Sequence, residues 1–154
     1  MPVKIRLQRH GKKGKPFYWV VAADARAKRD GKYLEKLGTY NPNMNPAEIN
    51  LDVDGCVKWL GDGAQPTDTA RALLSYKGVM YKKHLLGGVK KGALTAEQVE
   101  EKFTAWVTEK EAKVQGKVDG LSKAEIEAKA AIFAAEKAVN EARIAAAVPA
   151  QEEE

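Results

Sequence analysis

The sequence predicts an α+β fold with a helical C-terminal extension, because strand patterns come first, helix patterns follow, and an Ala/Glu/Lys-rich composition takes over from Thr95. The first strand pattern sets Val3, Ile5 and Leu7 in alternation with Lys4, Arg6 and Gln8. Period-two alternation gives one buried face and one wet, cationic face. "GKKGK" at 11–15 supplies a flexible charged turn, and Pro16 opens the next strand. Residues 17–23 are apolar throughout, which predicts a central strand covered at least in part on both faces. Asp30-Gly31 signals a turn, residues 33–40 read as a third strand, and residues 49–51 as a short fourth after an Asn- and Pro-rich loop.

Helices come next. Asp52 or Asp54 caps a short helix carrying Val57, Trp59 and Leu60, stopped by Gly61 and Gly63. Thr67 caps another in which Ala70, Leu73 and Leu74 share a face and Gly78 ends the run. "VMYKKHLLGG" has no decisive period and is either a third short element or an ordered loop. Thr95-Ala-Glu-Gln98 and Ser122-Lys-Ala-Glu125 both match the capping box, in which side chains at both ends satisfy free amides. Val99, Phe103, Trp106 and Val107 form a stripe after the first box, and Ile132, Ala135, Val139 and Ala142 after the second. With Gly116 and Gly120 between them, the pattern predicts a helical hairpin, or two helices that pack only on a partner. The tail after Pro149 is expected to be disordered.

Charge divides the chain. Residues 1–92 hold 18 Lys and Arg against 8 Asp and Glu, whereas residues 93–154 hold 8 against 13. The expected organisation is therefore a basic body, 1–92, that meets a polyanion, and an acidic helical extension, 93–154. A single cysteine, Cys56, excludes an internal disulfide framework and fits a reducing compartment. No apolar run approaches the roughly 20 residues that cross a bilayer, and the N-terminus lacks the apolar core of a secretory signal. A soluble cytoplasmic protein without a membrane or small-molecule partner is expected.

Catalytic and metal-binding patterns are missing from the sequence. His10 and His84 stand far apart without ligand partners at metal spacing, and Cys56 lies in an apolar helix pattern as a structural thiol. "GKKGKP" lacks the gap and the Lys-Ser/Thr ending of a phosphate loop. Asp52 and Asp54 are explained by capping without a magnesium ion. Neither a cofactor nor an enzymatic activity is expected.

Charge geometry carries the positive reading. Residues 1–36 contain 11 Lys and Arg against 3 Asp and Glu, on the wet face of the first strand and in the loops around it. Such a surface gains affinity for nucleic-acid phosphates by releasing condensed counterions. Among the interleaved aromatics Phe17, Tyr18, Trp19, Tyr33 and Tyr40, core packing accounts for most, and Tyr40 at a strand end is the best candidate for stacking on a base.

"MPVKIRLQRHGKKGKPFYWVVAADARAKRDGKYLEKLGTYNP" followed by "LDVDGCVKWLGDGAQPTDTARALL" closely resembles the bacterial small-subunit ribosomal protein numbered sixteen over roughly residues 1–80. The resemblance implies a mixed sheet of about five strands packed against helices on one side. It also implies binding to small-subunit ribosomal RNA, contact with neighbouring ribosomal proteins, and a role in assembling the subunit. RNA-binding positions suggested by the resemblance are Lys4, Arg6, Arg9, Lys12, Lys13, Lys15, Arg26, Lys28, Arg29 and Lys32. His10, as a solvated or phosphate-facing side chain, and Tyr40 complete the candidate surface. The extension after residue 92 is not explained by the resemblance; its acidity points to basic protein neighbours rather than RNA. Two other classes share some of these features. A DNA-binding or nucleic-acid-cleaving enzyme would need a magnesium-binding carboxylate cluster, and a protein-interaction module would bind through residues 93–154 alone.

Overall fold

A computed structural model describes residues 2–147. Five strands, β1 (Val3–Lys12), β2 (Lys15–Asp24), β3 (Glu35–Asn41), β4 (Glu48–Leu51) and β5 (Gln65–Pro66), alternate late in the chain with four helices. These are α1 (Val53–Gly61), α2 (Asp68–Tyr76), α3 (Val79–Lys90) and α4 (Ala96–Ala147). The strands form one sheet in the order β4-β3-β2-β1-β5, antiparallel except where β5 runs parallel to β1, so the fold is α+β with a mixed sheet as expected.

β2 occupies the middle of the sheet, and its two faces have different covers. Val20 and Ala22 join Ile5, Leu37, Cys56, Leu60, Ala70, Leu74 and Val79 in the core between sheet and helices. Val21 and Ala23 point the other way and are equally buried, but outside that cluster. Their cover is the connection 25–34, which folds back over the second face. The apolar run is thereby explained: each face of this strand loses its water. β1 alternates in step, with Ile5 facing Ala22 and Leu7 facing Val20 across the ladder, while Arg6 faces Val21 and Gln8 faces Trp19.

Helix boundaries follow their caps. Asp52 is the N-cap of α1, accepting from the amides of Asp54 and Gly55 at 3.1 Å each. Asp54 instead accepts a 2.6 Å ion pair from Lys82 of α3. Thr67 stands at the N-cap of α2 without a side-chain hydrogen bond. The undecided segment "VMYKKHLLGG" is helical, as α3. Cys56 is fully buried, and burial, with Asp52 and Glu35 nearby, pushes its thiol up to about 12, so it stays protonated at neutral pH.

The chain divides into two compact units, Met1–Lys113 and Val114–Glu154. In the first, the start of α4 carries the expected capping box: Thr95 N–H donates to Gln98 Oε1 at 3.2 Å and the Gln98 amide donates to Thr95 Oγ1 at 3.4 Å. The stripe that follows docks on the body. Val99 is buried, Trp106 meets Tyr81 at 5.9 Å between ring centroids, and Lys82 lies over Phe103.

In the second unit the structure departs from the expected hairpin. Residues 114–147 are helical throughout, Gly116 and Gly120 included. Each helical Gly costs about 1 kcal/mol relative to Ala, a penalty that a long helix absorbs without breaking. Ser122 does not cap a new helix; its hydroxyl donates to the Asp119 carbonyl at 2.9 Å, and Glu125 pairs with Lys129 at 2.7 Å. The tail after Pro149 lies outside the described residues. No helix of the described residues is long and apolar enough to cross a membrane.

Candidate nucleic-acid interface

The basic surface is built on the β1–β2 hairpin and the connection 25–34. Lys12 pairs with Lys15 across a two-residue turn in which Gly14 takes a φ of 80°, a conformation that side chains with a Cβ rarely adopt. Lys12, Lys13 and Lys15 are all exposed at this tip. The ammonium groups stand at the tip of a ladder whose one carboxylate, Asp24, lies at the opposite end, across from Val3.

Beyond Asp24 the chain turns back along β1. Arg6 Nη2 donates to the Lys28 carbonyl at 2.6 Å, Gln8 Nε2 to the Gly31 carbonyl at 2.8 Å, and the Arg9 amide to Asp30 Oδ1 at 2.9 Å. These three bonds fix the backbone of 28–31 against the strand while the side chains of Arg26, Lys28, Arg29 and Lys32 remain exposed. The Arg9 bond also covers a backbone amide on the edge of β1 beyond its short pairing with β5. Gln8 is only 1% exposed, contrary to the wet face expected for it. Its amide supplies what a cation could not have supplied here, a buried neutral donor for a backbone carbonyl.

Asp30 is the latch of this loop. It accepts from Arg29 through Nε and Nη2, the closest contact being 2.6 Å, as well as from the Arg9 amide. The Arg29 hydrogen bond, followed by that of Arg9, holds the carboxyl at about 2, and the same pairing raises Arg29 further. A lowered carboxyl value means that the contact is fully present above the ordinary carboxylate range and is lost as pH falls through about 2. A carbon-detected NMR titration of Asp30 should accordingly give a midpoint near 2, with exchange protection of the Arg9 amide persisting through pH 4; an ordinary midpoint near 4 would contradict the latch.

Aromatic side chains brace the same face. Trp19 lies against His10 at 3.9 Å between centroids, meets Tyr33 edge-on at 6.2 Å, and carries Lys36 Nζ at 4.3 Å. His10 is half-buried on Trp19 rather than freely solvated. Lys36 belongs to this surface by position, although the sequence sets it inside the third strand pattern and not among the candidate positions.

The candidate residues therefore fall into groups. Lys4, Arg6 and His10 share the loop-covered face of β1, with Arg6 half-buried; Lys28, Arg29 and Lys32 run beside them. Lys12, Lys13 and Lys15 mark the hairpin tip, and Arg26 begins the return loop. Arg9 and Tyr40 are separate: Arg9 stands opposite Tyr18, and Tyr18 opposite Tyr40, on the helical face of the sheet. Tyr40 is half-buried against the core with its ring stacked on Tyr18 at 5.9 Å.

Comparison with known proteins identifies the fold's relatives. The family described as Ribosomal protein S16 matches residues 9–67, a span holding the hairpin tip, the return loop and the first two helix caps. Small ribosomal subunit protein bS16 of Flavobacterium johnsoniae is 70% identical over 151 residues, covering 98% of this chain and 80% of the relative. The protein of the same name from Flavobacterium psychrophilum is 67% identical, over 94% of this chain and 81% of the relative. A more distant one, from Azobacteroides pseudotrichonymphae, is 46% identical over 93% and 87% respectively. The likeness runs well beyond residue 80, so much of the helical extension is common to these relatives. Identity of this degree, over nearly the whole chain and most of each relative, shows that the chain belongs to the ribosomal protein S16 family.

Proposed function

We propose that this protein is a structural, non-catalytic constituent of the small ribosomal subunit in the bacterial cytoplasm, and that it binds small-subunit ribosomal RNA through the hairpin tip and the return loop. Its contribution is to hold converging RNA segments together as the subunit assembles. The observation that carries this reading is the anchoring of 28–31 by Arg6, Gln8 and Arg9. Two of the three bonds end on backbone carbonyls, so most of the cationic side chains of the loop stay uncommitted. A preorganised cationic surface loses little side-chain and loop entropy on binding.

The deep groove of an RNA duplex offers side chains little base readout, so phosphate and ribose contacts dominate. Lys12, Lys13, Lys15, Lys28 and Lys32 act as phosphate contacts of this kind, with Lys4 and Arg6 beside them and Arg9 reaching RNA only from the opposite face of β1. Arg29 shares its guanidinium with Asp30 and contributes less than its charge implies. Tyr40 and His10 sit at the margin as packing residues that RNA reaches only at their exposed edges.

Binding of the intact protein to small-subunit ribosomal RNA across a salt series tests this. Changing Arg26, Lys28 and Lys32 together to Ala should weaken binding and flatten the salt slope by about 0.7–0.9 per lost phosphate contact. Equal affinity for duplex DNA of the same length, with an unchanged slope in the triple variant, would overturn the assignment.

A further inference from the structure

The helical side of the sheet carries a second concentration of basic residues. Lys82, Lys83, His84, Lys90 and Lys91 lie close together along α3 and just after it. Lys82 is committed to Asp54 and Phe103. Lys83, His84 and Lys91 are exposed, and among the described residues none of them takes part in an ion pair. All three line one groove of about 630 Å³ whose apolar floor comes from Met80, Gly87, Gly88 and Leu94.

The glycines make the groove. A Cβ at Gly88 would stand 3.0 Å from Leu94 Cδ1, so the bare backbone lets Leu94 close one wall. A Cβ at Gly87 would meet nothing within 4 Å, so the floor there is open. Two glycines inside a helix lower its propensity, and what they provide here is close approach to the backbone. The lining contains neither an acidic nor an aromatic residue other than His84.

We propose that this groove docks an acidic amphipathic helix of another protein, with aliphatic side chains entering over Gly87 and carboxylates meeting Lys83 and Lys91. Charge complementarity fixes the sign of the partner, because the rim is cationic and unpaired. The floor fixes its class. Unpaired bases are held by aromatic platforms, which Met80, Leu94 and two glycines do not supply. An adaptable thioether and aliphatic walls instead suit helix-in-groove recognition. The groove includes no residue of the hairpin tip or the return loop.

The test uses the full chain and a fluorescent amphipathic peptide of Glu, Ala and Leu, with Leu at helical i, i+3, i+4 and i+7 spacing. Its scrambled counterpart and an RNA duplex serve as comparators. Saturable binding is expected for the amphipathic peptide, about tenfold weaker for the scrambled one. Lys83→Glu with Lys91→Glu should abolish it. Gly87→Leu should weaken it at least about tenfold by filling the floor, while the circular dichroism and RNA affinity of that variant stay unchanged. Equal binding of both peptides, displacement of the peptide by duplex RNA, or indifference to Gly87→Leu would overturn the proposal. So would concentration-dependent dimerisation of the intact chain that Gly87→Leu abolishes, since the occupant would then be a second copy.

Discussion

Replacing Gly38 by Val is expected to separate β4 from β3 and to cost about 3 kcal/mol, near the upper end for forced overpacking. A Cβ at this position would lie 2.1 Å from the Asn50 carbonyl oxygen and 2.9 Å from Leu51 Cα, both backbone atoms that cannot step aside. Gly38 pairs with Leu51 on one side and Val20 on the other, next to the register shift at Val20/Val21. The shift gives β3 its extra residue, Leu37, and sends that side chain into the core while Lys36 turns to Trp19. Loss of the close approach therefore disturbs both the core and the brace under the basic face. Thermal unfolding should fall by roughly 10 °C for a unit of this size. Gly87→Ala, where a Cβ meets nothing, should leave the midpoint unchanged or raise it. A Gly38→Val protein melting within about 2 °C of the parent would refute the close-packing argument.

Trp106→Ala should release the first turns of α4 from the body at a cost of about 2–3 kcal/mol, below the range for a fully buried Trp because the side chain is only half-buried. The Trp106 ring fills the space above Gly78, where a Cβ would come within 2.4 Å of its Cζ3, and it meets Tyr81 on the same surface. Gly78 has a φ of 80°, so Gly78→Ala carries backbone strain as well as the clash. In a double-mutant cycle, Gly78→Ala should cost less in the Trp106→Ala background than in the parent, because the clash has gone and only the strain remains. Hydrogen exchange across residues 99–110 should lose protection in either single variant. Additive energies with protection intact would mean that the stripe does not dock as described.

The strands were legible because their alternation is local. Val3, Ile5 and Leu7 declare a face whatever they pack against, and residues 17–23 announce a doubly covered strand. β5 was not legible: two residues, one of them Pro66, carry no period, and their strand character comes only from pairing with Lys4 and Ile5. α3 was ambiguous because Gly87 and Gly88 interrupt its apolar pattern, and the capping box at Ser122 misled because the same residues also suit a helix interior. The candidate surface was legible as charge but not as geometry. Folding of 25–34 over the sheet depends on Gln8, Arg6 and the Arg9 amide reaching carbonyls and a carboxylate more than 20 residues away. One signal was present: Gln8 is the single side chain without a basic group on a strand face otherwise lined by Lys4, Arg6 and His10.

The most direct test of where RNA binds is lysine acylation of the intact protein, free and bound to small-subunit ribosomal RNA, read residue by residue by mass spectrometry. The binding surface described above predicts protection of Lys12, Lys13, Lys15, Lys28 and Lys32, with Lys83, Lys91, Lys117 and Lys137 labelled equally in both states. Protection of the α3 and α4 lysines, with the hairpin tip and return loop still reactive, would contradict it.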